Sequence, residues 1–557
     1  MSRHKIEESL SRIPFFRSLS SPTLSAISAK LRFVQLDLNA IVFAENYPAD
    51  AMYLIESGQV KVSINTAAGQ EKVINYLGPG NFFGEMALLL DQPRSATVTV
   101  TIDAGLWVLY KADLDELLVD NAEISLQLTR ELSRRLSDVV TDVKHRPGYG
   151  LTAVFGEQPW RLARAVHQLA QQRVVLLDAT GRNMSQMVGV SIQSDDFVIL
   201  EINPNLSSDD LVETLSILVD GYDWVLMALP SSYSEANLKA VKLAKAVILL
   251  NATAETWLVE AASGPVFQCD VKREIEVERT ARKITHRVVG LALSSGGARG
   301  IAHIGVLRTL EQANIPIDMI AGTSAGSLFG GLYASGKSVD EVADFAKNLI
   351  KLTSFKSGLW DPKFSLPWDG LIKGNATLKF LAKHFRNMTF AETKIPFYVV
   401  ATDVLSGEEI VFDEGPVAEA VRGSIGMIGI FSPFRHKGYY LIDGGAVNPV
   451  PATVLAERGA NIIIASSVIP SIEEERVRGR TAANEEKQPN FLRVLNNMMG
   501  IMEREIVKTR MNPVDILIRP KVEVYTAMDY EKAEDFIRLG EEAAQNELAL
   551  IQKVLDQ

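Results

Sequence analysis

Residues 288–300 read VVGLALSSGGARG, and residues 317–329 read IDMIAGTSAGSLF. In each stretch an apolar run of strand type meets a glycine-rich bend, after which a helical pattern begins. The second bend, GTSAG at 322–326, has the form G-x-S-x-G, in which a serine occupies a tight strand-to-helix turn. Glycine is needed on both sides because the backbone comes too close for a β-carbon. The pattern predicts an outward-facing, nucleophilic serine at Ser324.

The first bend predicts an oxyanion hole for that serine. A nucleophile that attacks an acyl carbon needs backbone N–H donors aimed at the developing negative oxygen. Such donors collect at the start of a helix. Four residues occupy this position: Gly296, Gly297, Ala298 and Arg299. A dinucleotide-binding G-x-G-x-x-G loop is the competing interpretation, but Ser295 stands at its first glycine and the serine turn follows directly.

A third motif completes a pattern that resembles the patatin-like phospholipases. It is the Asp-Gly-Gly turn at 443–445, within YYLIDGGAVNPVP. The resemblance covers about residues 288–451 and continues more weakly to the C-terminus. This family uses a Ser–Asp dyad without histidine, so the resemblance implies that Ser324 is the nucleophile and Asp443 its base. The same resemblance implies a phospholipid or lysophospholipid substrate and no catalytic cofactor or metal.

Two positions depart from the family pattern. Ser295 replaces the usual first glycine of the oxyanion bend, and Met-Ile-Gly at 427–429 stands where a proline-containing loop is common. The second departure lies in the apolar run VRGSIGMIGIFSPF at 421–434. An acyl-chain groove needs an apolar lining of this kind, and so does a packed core. Both interpretations of the run stay open.

The base is the demanding part of such a dyad. An ordinary aspartate has a pKa of about 3.9 and accepts protons poorly near neutrality. The mechanism therefore requires a desolvated carboxylate, or a rate that comes mainly from the oxyanion donors. His303 is the alternative base, but helical spacing places it beside Gly305 on the first helix, which favours a packing role.

Residues 1–145 predict a different fold, a β-roll with helices. Short strand-like runs alternate with glycine turns, and a long amphipathic stretch extends from Lys111 to about Val143. Inside this region lies NFFGEMALLLDQPRSATV at 81–98, a glycine turn, a short helix and a proline bend that delivers an arginine. This segment resembles the phosphate-binding cassette of cyclic-nucleotide-binding domains.

The cassette resemblance assigns a ligand site. It implies that Glu85 binds the ribose 2′-hydroxyl and Arg94 the cyclic phosphate, chemistry that suits a carboxylate and a guanidinium. The remaining lining residues would be Gly84, Ala87 and Ser95. Cyclic AMP and cyclic GMP both remain open as the ligand, and so does a cassette kept only as a structural turn. A transcription factor of the cAMP-receptor type is disfavoured because an α/β pattern, not a helix-turn-helix, follows residue 148.

Residues 150–285 predict an α/β spacer domain with a parallel sheet. Strand-like runs such as WVLMAL alternate with helical stretches at 160–172 and 208–219. The run YDWVLMALP and the following helix and strand resemble the latter half of MinD/ParA-type P-loop ATPases. No Walker A motif is present, so no loop could hold a nucleotide β-phosphate. The charged run at 271–283 predicts a solvated helix or linker.

Composition sets outer bounds on function. The 557 residues carry a net charge of −11, which disfavours general nucleic-acid binding. The one cysteine, Cys269, permits no internal disulfide and fits a reducing compartment. We find no apolar run of membrane-spanning length, no signal-peptide core and no histidine or cysteine cluster with metal-ligand spacing. These features predict a cytoplasmic protein, with membrane contact only at the surface.

We therefore predict a multidomain α+β and α/β protein. Its parts are a cyclic-nucleotide-binding domain at 1–145, an α/β spacer at 150–285 and a patatin-like α/β hydrolase domain at 288–557. The predicted function is hydrolysis of lipid esters under control of a cyclic nucleotide, in an arrangement similar to the neuropathy target esterase group. The alternative is a nucleotide-responsive scaffold with a vestigial hydrolase site. Oligomeric state does not follow from the sequence.

Overall fold

The computed structural model divides the chain into two compact units, Met1–Thr285 and His286–Gln557. The residues whose structure is described are 20–65, 71–89, 92–120, 124, 151–182, 184, 196–204, 207–353, 372–471, 491–509 and 512–556. The sequence also predicts a helical patch at 13–30, an irregular aromatic-rich stretch at 351–375 and a polar loop at 472–488. Residues 13–19, 354–371 and 472–488 lie outside the described ranges, as do residues 121–123 and 125–143 of the predicted amphipathic stretch. The mixed α+β and α/β class is confirmed.

The first unit begins with an antiparallel β-roll. Its strands are β1 (Arg32–Leu36), β2 (Ile41–Phe43), β3 (Ala51–Asn65), β4 (Glu71–Leu77), β5 (Phe82–Phe83) and β6 (Thr97–Tyr110). The long strands β3 and β6 pair along most of their length, and the sheet order is β1-β6-β3-β4. The helices described in this region are α1 (Ser21–Lys30), α2 (Glu85–Leu89) and α3 (Lys111–Asp120). The predicted β-roll is thus observed.

The first unit continues with a six-stranded, wholly parallel sheet. Its strands are β7 (Leu151–Gly156), β8 (Val174–Asp178), β9 (Phe197–Glu201), β10 (Trp224–Leu229), β11 (Ala246–Leu250) and β12 (Val266–Cys269), in the order β12-β11-β7-β10-β8-β9. The helices are α4 (Pro159–Ala170), α5 (Ser208–Gly221), α6 (Glu235–Leu243), α7 (Thr256–Ala261) and α8 (Glu274–Ile284). Strands β8, β10 and β11 are buried throughout, because helices cover both faces of a parallel sheet.

Helix α8 corrects one sequence-based expectation. The charged run at 271–283 was expected to be solvated, yet Val277, Ala281 and Ile284 are buried in a core shared with α4. Charged residues occupy most of the other positions of the helix, which masks a three-to-four-residue apolar repeat.

The second unit is an eight-stranded sheet between helices. Its strands are β13 (Val289–Leu293), β14 (Met319–Thr323), β15 (Phe397–Asp403), β16 (Glu409–Phe412), β17 (Phe434–His436), β18 (Tyr439–Asp443), β19 (Ile462–Ser466) and β20 (Ile516–Ile518). The order is β17-β18-β15-β14-β13-β19-β20, with β16 on β15. The helices are α9 (Ala302–Gln312), α10 (Ala325–Ala334), α11 (Val339–Thr353), α12 (Asn375–His384), α13 (Val417–Ser424), α14 (Ala452–Glu457), α15 (Phe491–Thr509) and α16 (Ala533–Asp556).

The C-terminal helix α16 packs closely on α9 through two glycines. A β-carbon on Gly305 would lie 1.9 Å from the carbonyl oxygen of Ile537, and one on Gly540 would lie 2.0 Å from that of Ala302. These are backbone obstacles that a side-chain rotation cannot remove. The crossing therefore fixes α9, the helix that begins directly after the first glycine bend.

We predict that Gly305→Ala and Gly540→Ala each lower the free energy of unfolding by about 1–3 kcal/mol, the usual cost of overpacking a core. Calorimetry of the full chain would show this as a lower melting temperature of one transition. Gly500→Ala in α15 is the control, because its β-carbon meets only the end of the Arg504 side chain at 3.4 Å. That change should be neutral or stabilising. An unaltered melting temperature for Gly305→Ala would contradict the packing argument.

Candidate active site and nucleotide-binding site

Ser324 lies on a strained turn between β14 and α10. Its backbone angles are φ 53° and ψ −117°, a conformation that residues with a side chain rarely adopt. The two flanking glycines permit the turn. A β-carbon on Gly326 would lie 2.1 Å from the Leu293 carbonyl oxygen, and one on Gly322 would lie 2.6 Å from the backbone of Gly326. The predicted serine elbow is therefore the observed geometry, and its glycines cannot be replaced without moving backbone.

The sheet register brings Asp443 to the serine. Thr323 pairs with Val400 between β14 and β15, and Ala401 pairs with Asp443 between β15 and β18. Asp443 therefore lies one residue beyond the level of Thr323, which is the level of Ser324. The Ser324 Oγ–H donates to Asp443 Oδ2 at 2.6 Å. A separation of more than a hundred residues in sequence is closed by two strand pairings.

The Asp443 carboxylate is buried and held in place. The residue is only 7% exposed, and its Oδ1 accepts a hydrogen bond from the Gly445 amide at 2.9 Å. Burial raises the pKa of Asp443 to about 6, while the bonds from Ser324 and Gly445 oppose that rise. The carboxylate is thus a stronger base than a solvated aspartate and is still ionised at neutral pH. This is the desolvated carboxylate that a dyad without histidine requires.

Ser424, at the end of α13, is a site residue that sequence reasoning missed. Its Oγ accepts the backbone N–H of Ser324 at 2.8 Å and donates to the Val400 carbonyl at 2.6 Å. The hydroxyl therefore ties the nucleophile's backbone to β15 and helps to hold the strained turn. Nothing in the local sequence distinguishes this serine, because its partner lies 100 residues away.

The first glycine bend lies against the same site. Residues Gly297–Ile301 form a 3-10 helix after β13, and Gly297 lines the cavity that contains Ser324. Gly297 has φ 59°, and a β-carbon there would lie 2.5 Å from the Ala527 carbonyl oxygen. The Ala298 amide donates to that same carbonyl at 2.8 Å. Of the four predicted oxyanion donors, Ala298 therefore already uses its N–H in a hydrogen bond within the fold.

His303 is placed in the core behind the bend and makes only structural contacts. Its Nδ1 bonds to Ser466 Oγ at 2.8 Å and its Nε2 to the Ser294 carbonyl at 2.9 Å. Burial lowers the pKa of His303 to about 4, so the ring is neutral. Both nitrogens are occupied, and the ring orients the strand end beside the bend. This agrees with the packing role favoured from helical spacing.

A cavity of about 400 Å³ opens at Ser324. Gly297 and Tyr530 lie at the same cavity. The apolar residues that line it are Leu328, Phe329, Phe345, Leu349, Ile372, Phe380, Leu381, Ile425, Met427, Ile430, Phe431 and Met528. Four of these come from the run at 421–434, for which a groove and a core were both open interpretations. The run therefore serves both purposes, since these four residues, Met427 among them, line the cavity while Val421 is buried in the core.

The cassette arginine of the first unit, Arg94, points inward. Its Nη1 donates to the Gly84 carbonyl at 2.9 Å, and its Nη2 donates to the Ala51 carbonyl at 2.6 Å and to Asp50 at 3.2 Å. The guanidinium stacks on Phe43, 4.0 Å from the ring centre. Its Nε is buried without a hydrogen-bond acceptor. Three of the five N–H donors of the guanidinium are thus used within the fold.

The other cassette residues occupy the same turn. Gly84 has φ 83°, and a β-carbon there would lie 2.7 Å from Arg94 Nη1, so glycine is what lets the arginine approach. Glu85 begins α2 and is 3% exposed, and Ala87 is also buried. Ser95 is exposed beside Arg94. Arg94 and Gly84 are therefore in direct contact, and Glu85 and Ala87 lie on the helix that follows Gly84.

Comparison with known proteins gives the same two segments. Residues 291–456 match the family model described as patatin-like phospholipase, and residues 33–121 match the cyclic nucleotide-binding domain. The chain carries a patatin-like phospholipase domain. The matched segment contains Ser324, Asp443 and both glycine bends, and the nucleotide-binding match contains the whole cassette.

Curated relatives share this arrangement to different extents. Patatin-like phospholipase domain-containing protein 6 of Mus musculus is 21% identical over 93% of this chain and 45% of its own length. An uncharacterized NTE family protein of Mycobacterium tuberculosis is 38% identical over 32% of this chain and 49% of its own. Lysophospholipase NTE1 of Kluyveromyces lactis is 29% identical over 47% of this chain and 19% of its own. The chain spans less than half the length of each of these relatives.

The described part of the chain contains neither a membrane-spanning helix nor a metal-binding cluster. Within them, no helix combines the length and the apolar character needed to cross a membrane. The same residues contain no group of three or more histidine, cysteine, aspartate or glutamate side chains arranged to hold a metal ion.

Proposed function

We propose that the patatin-like phospholipase domain hydrolyses lipid esters, with Ser324 as nucleophile and Asp443 as its base. The observation that carries this proposal is the 2.6 Å hydrogen bond from the serine hydroxyl to a buried carboxylate. A strained serine, a base with a raised pKa and an apolar cavity at the same point are each costly to maintain. Their coincidence is what acyl transfer from a lipid requires.

The chemistry follows from the geometry. Ser324 Oγ attacks the ester carbonyl carbon while its proton passes to Asp443, and the carbonyl oxygen takes up the negative charge. The amides of Gly296, Gly297 and Arg299 are the proposed donors to that oxygen. The intermediate collapses, the alcohol leaves with the proton from Asp443, and an acyl-serine remains. Water then attacks the acyl-serine while Asp443 accepts its proton. The bond between the acyl carbon and Oγ breaks, the fatty acid leaves, and the proton returns from Asp443 to Ser324.

The substrate class follows from the cavity. Its lining is apolar and it ends at the nucleophile, so it suits an acyl chain and leaves the polar part of the substrate outside. Phospholipids and lysophospholipids both present such a chain with a charged head group. Lysophospholipase NTE1 is one relative with that activity in its name. We propose a phospholipid or lysophospholipid as substrate, met at a membrane surface.

We further propose that a cyclic nucleotide binds the β-roll and changes the rate of hydrolysis. Arg94 supplies a buried guanidinium whose Nε lacks an acceptor, and Glu85 supplies a buried carboxylate beside it. A ligand can alter the rate only if it binds two states of the protein unequally. Cyclic AMP and cyclic GMP are both candidates.

The dyad is tested by Ser324→Ala and Asp443→Asn with lysophosphatidylcholine as substrate and released fatty acid as the measured product. Each change should lower kcat by about 10³-fold or more, because the nucleophile or its proton acceptor is lost. Asp443 must be ionised to accept the proton, so wild-type activity should fall as the pH drops through about 6. Equal rates for wild type and Ser324→Ala would favour the scaffold with a vestigial site.

The acyl cavity is tested by Met427→Trp, which places a larger side chain in the lining. We expect kcat/KM for esters of long fatty acids to fall about tenfold or more relative to short ones, since one or two lost methylene contacts alone cost about tenfold each. Met427→Leu keeps the volume and is the matched control. A long-to-short ratio that Met427→Trp does not alter would show that the chain binds elsewhere.

The nucleotide site is tested by Glu85→Gln, with binding measured by calorimetry. If Glu85 accepts from the ribose 2′-hydroxyl, wild type should bind cyclic AMP about 10–100-fold more tightly than its 2′-deoxy analogue, and Glu85→Gln should lose most of that difference. Met86→Ala, at the exposed neighbouring position, is the control. No preference for the 2′-hydroxyl in wild type would remove Glu85 from the site.

A further inference from the structure

Ser295, the departure from the family's glycine, has a specific partner. Its Oγ–H donates to Glu503 Oε1, on helix α15, more than two hundred residues away. This is a side chain-to-side chain bond between the oxyanion bend and a helix that sequence reasoning assigned no role. A glycine at 295 could not make it. The hydrogen bond therefore requires both the serine at 295 and the glutamate at 503.

The same glutamate reaches the turn of the catalytic aspartate. A β-carbon on Gly445 would lie 2.4 Å from Glu503 Oε1 and 3.2 Å from both Asp443 Oδ1 and Ser295 Oγ. Two carboxyl groups and a hydroxyl thus meet at a residue that has no side chain to separate them. Glu503 touches both of the segments that flank the nucleophile.

The carboxyl groups at this point share one electrostatic environment. Burial raises the pKa of Glu503 to about 7, and the negative charge of Asp443 acts in the same direction. The hydrogen bond from Ser295 and the charges of Arg299, on the bend, and Arg504, on α15, act against the rise. The two carboxyl groups therefore titrate as a coupled pair, in which Glu503 keeps its proton to a higher pH than Asp443 does.

We propose that Glu503 is a positioning residue of the active site, which anchors Ser295 of the oxyanion bend to the Asp443 turn and supports turnover only while it is neutral. The proposal rests on the hydrolase function proposed above. It adds a second carboxyl group with a different role from the base. Asp443 must be ionised to accept a proton, whereas Glu503 must keep its proton.

The physical reason lies in where charge moves during the reaction. When Asp443 takes the serine proton, the negative charge passes to the carbonyl oxygen at the bend. A neutral Glu503 adds no charge there. An ionised Glu503, bonded to the residue directly before Gly296, places a like charge beside the developing one. It also repels the phosphate of a phospholipid head group.

The decisive test is the pH profile of kcat/KM for Glu503→Gln, which mimics the neutral acid. Product should be quantified after quenching at one fixed pH, with Ser324→Ala subtracted as background. Wild type should lose about tenfold in rate per pH unit above about 7, whereas Glu503→Gln should retain the loss at low pH and lack the loss at high pH. Glu505→Gln, an exposed acid on the same helix with 56% of its side chain accessible, should follow wild type.

A double-mutant cycle tests the anchoring role. Ser295→Ala and Glu503→Ala should each lower kcat by about tenfold with little change in KM, and the double variant should cost no more than either single change, because both remove the same bond. Additive losses, or a high-pH loss that survives in Glu503→Gln, would overturn the proposal.

Infrared spectra separate this proposal from that of the hydrolase. Raising the pH from about 6 to about 8.5 should remove a protonated-carboxyl C=O band from wild type that Glu503→Gln lacks. If wild type hydrolyses no ester and Ser324 does not react with a fluorophosphonate probe, the proposed hydrolase function is wrong. The infrared band then still shows whether Glu503 carries a proton. If hydrolysis is normal and the band is identical in Glu503→Gln, Glu503 does not hold the proton and the proposal is wrong.

Discussion

The site depends on a backbone constraint at the serine elbow. Ser324 adopts φ 53°, and it keeps that conformation because Gly326 packs directly on the Leu293 carbonyl and Ser424 holds the Ser324 amide. Strain of this kind persists only where the surroundings over-determine it. Here β13, β14 and β15 supply those surroundings, since the elbow closes against the end of one strand and is tied to another. The strands of the second unit thus hold the backbone of Ser324 in its strained conformation.

Burial raises the pKa of the Asp443 carboxylate and so makes it a stronger base beside Ser324. A serine proton passes more readily to a base with a higher pKa. Removing Asp443 from water raises its pKa to about 6. The cost of burying a charge is reduced by the Ser324 and Gly445 bonds. The only nearby histidine among the described residues, His303, has both nitrogens engaged and stays neutral. The structure therefore places beside Ser324 a carboxylate whose pKa burial has raised.

The resemblance to the patatin-like phospholipases predicted that Ser324, on the 322–326 turn, and Asp443, on the 443–445 turn, would meet. It did not predict Ser424 or Glu503, since neither belongs to a local pattern and each acts on a partner far along the chain. In the sequence Ser295 was only a departure from the family's usual glycine. The structure shows its partner, Glu503. Local motifs thus identify the reacting atoms, while the groups that hold them are determined by tertiary packing.

Arg94 shows the same limit in the first unit. The cassette motif predicted an arginine aimed at a phosphate, but in this structure the guanidinium is bonded to two backbone carbonyls and to Asp50. A buried positive charge is costly without a partner. Asp50, with 72% of its side chain exposed, provides a weakly held one. A phosphate at this position would compete with the Asp50 carboxylate for the guanidinium.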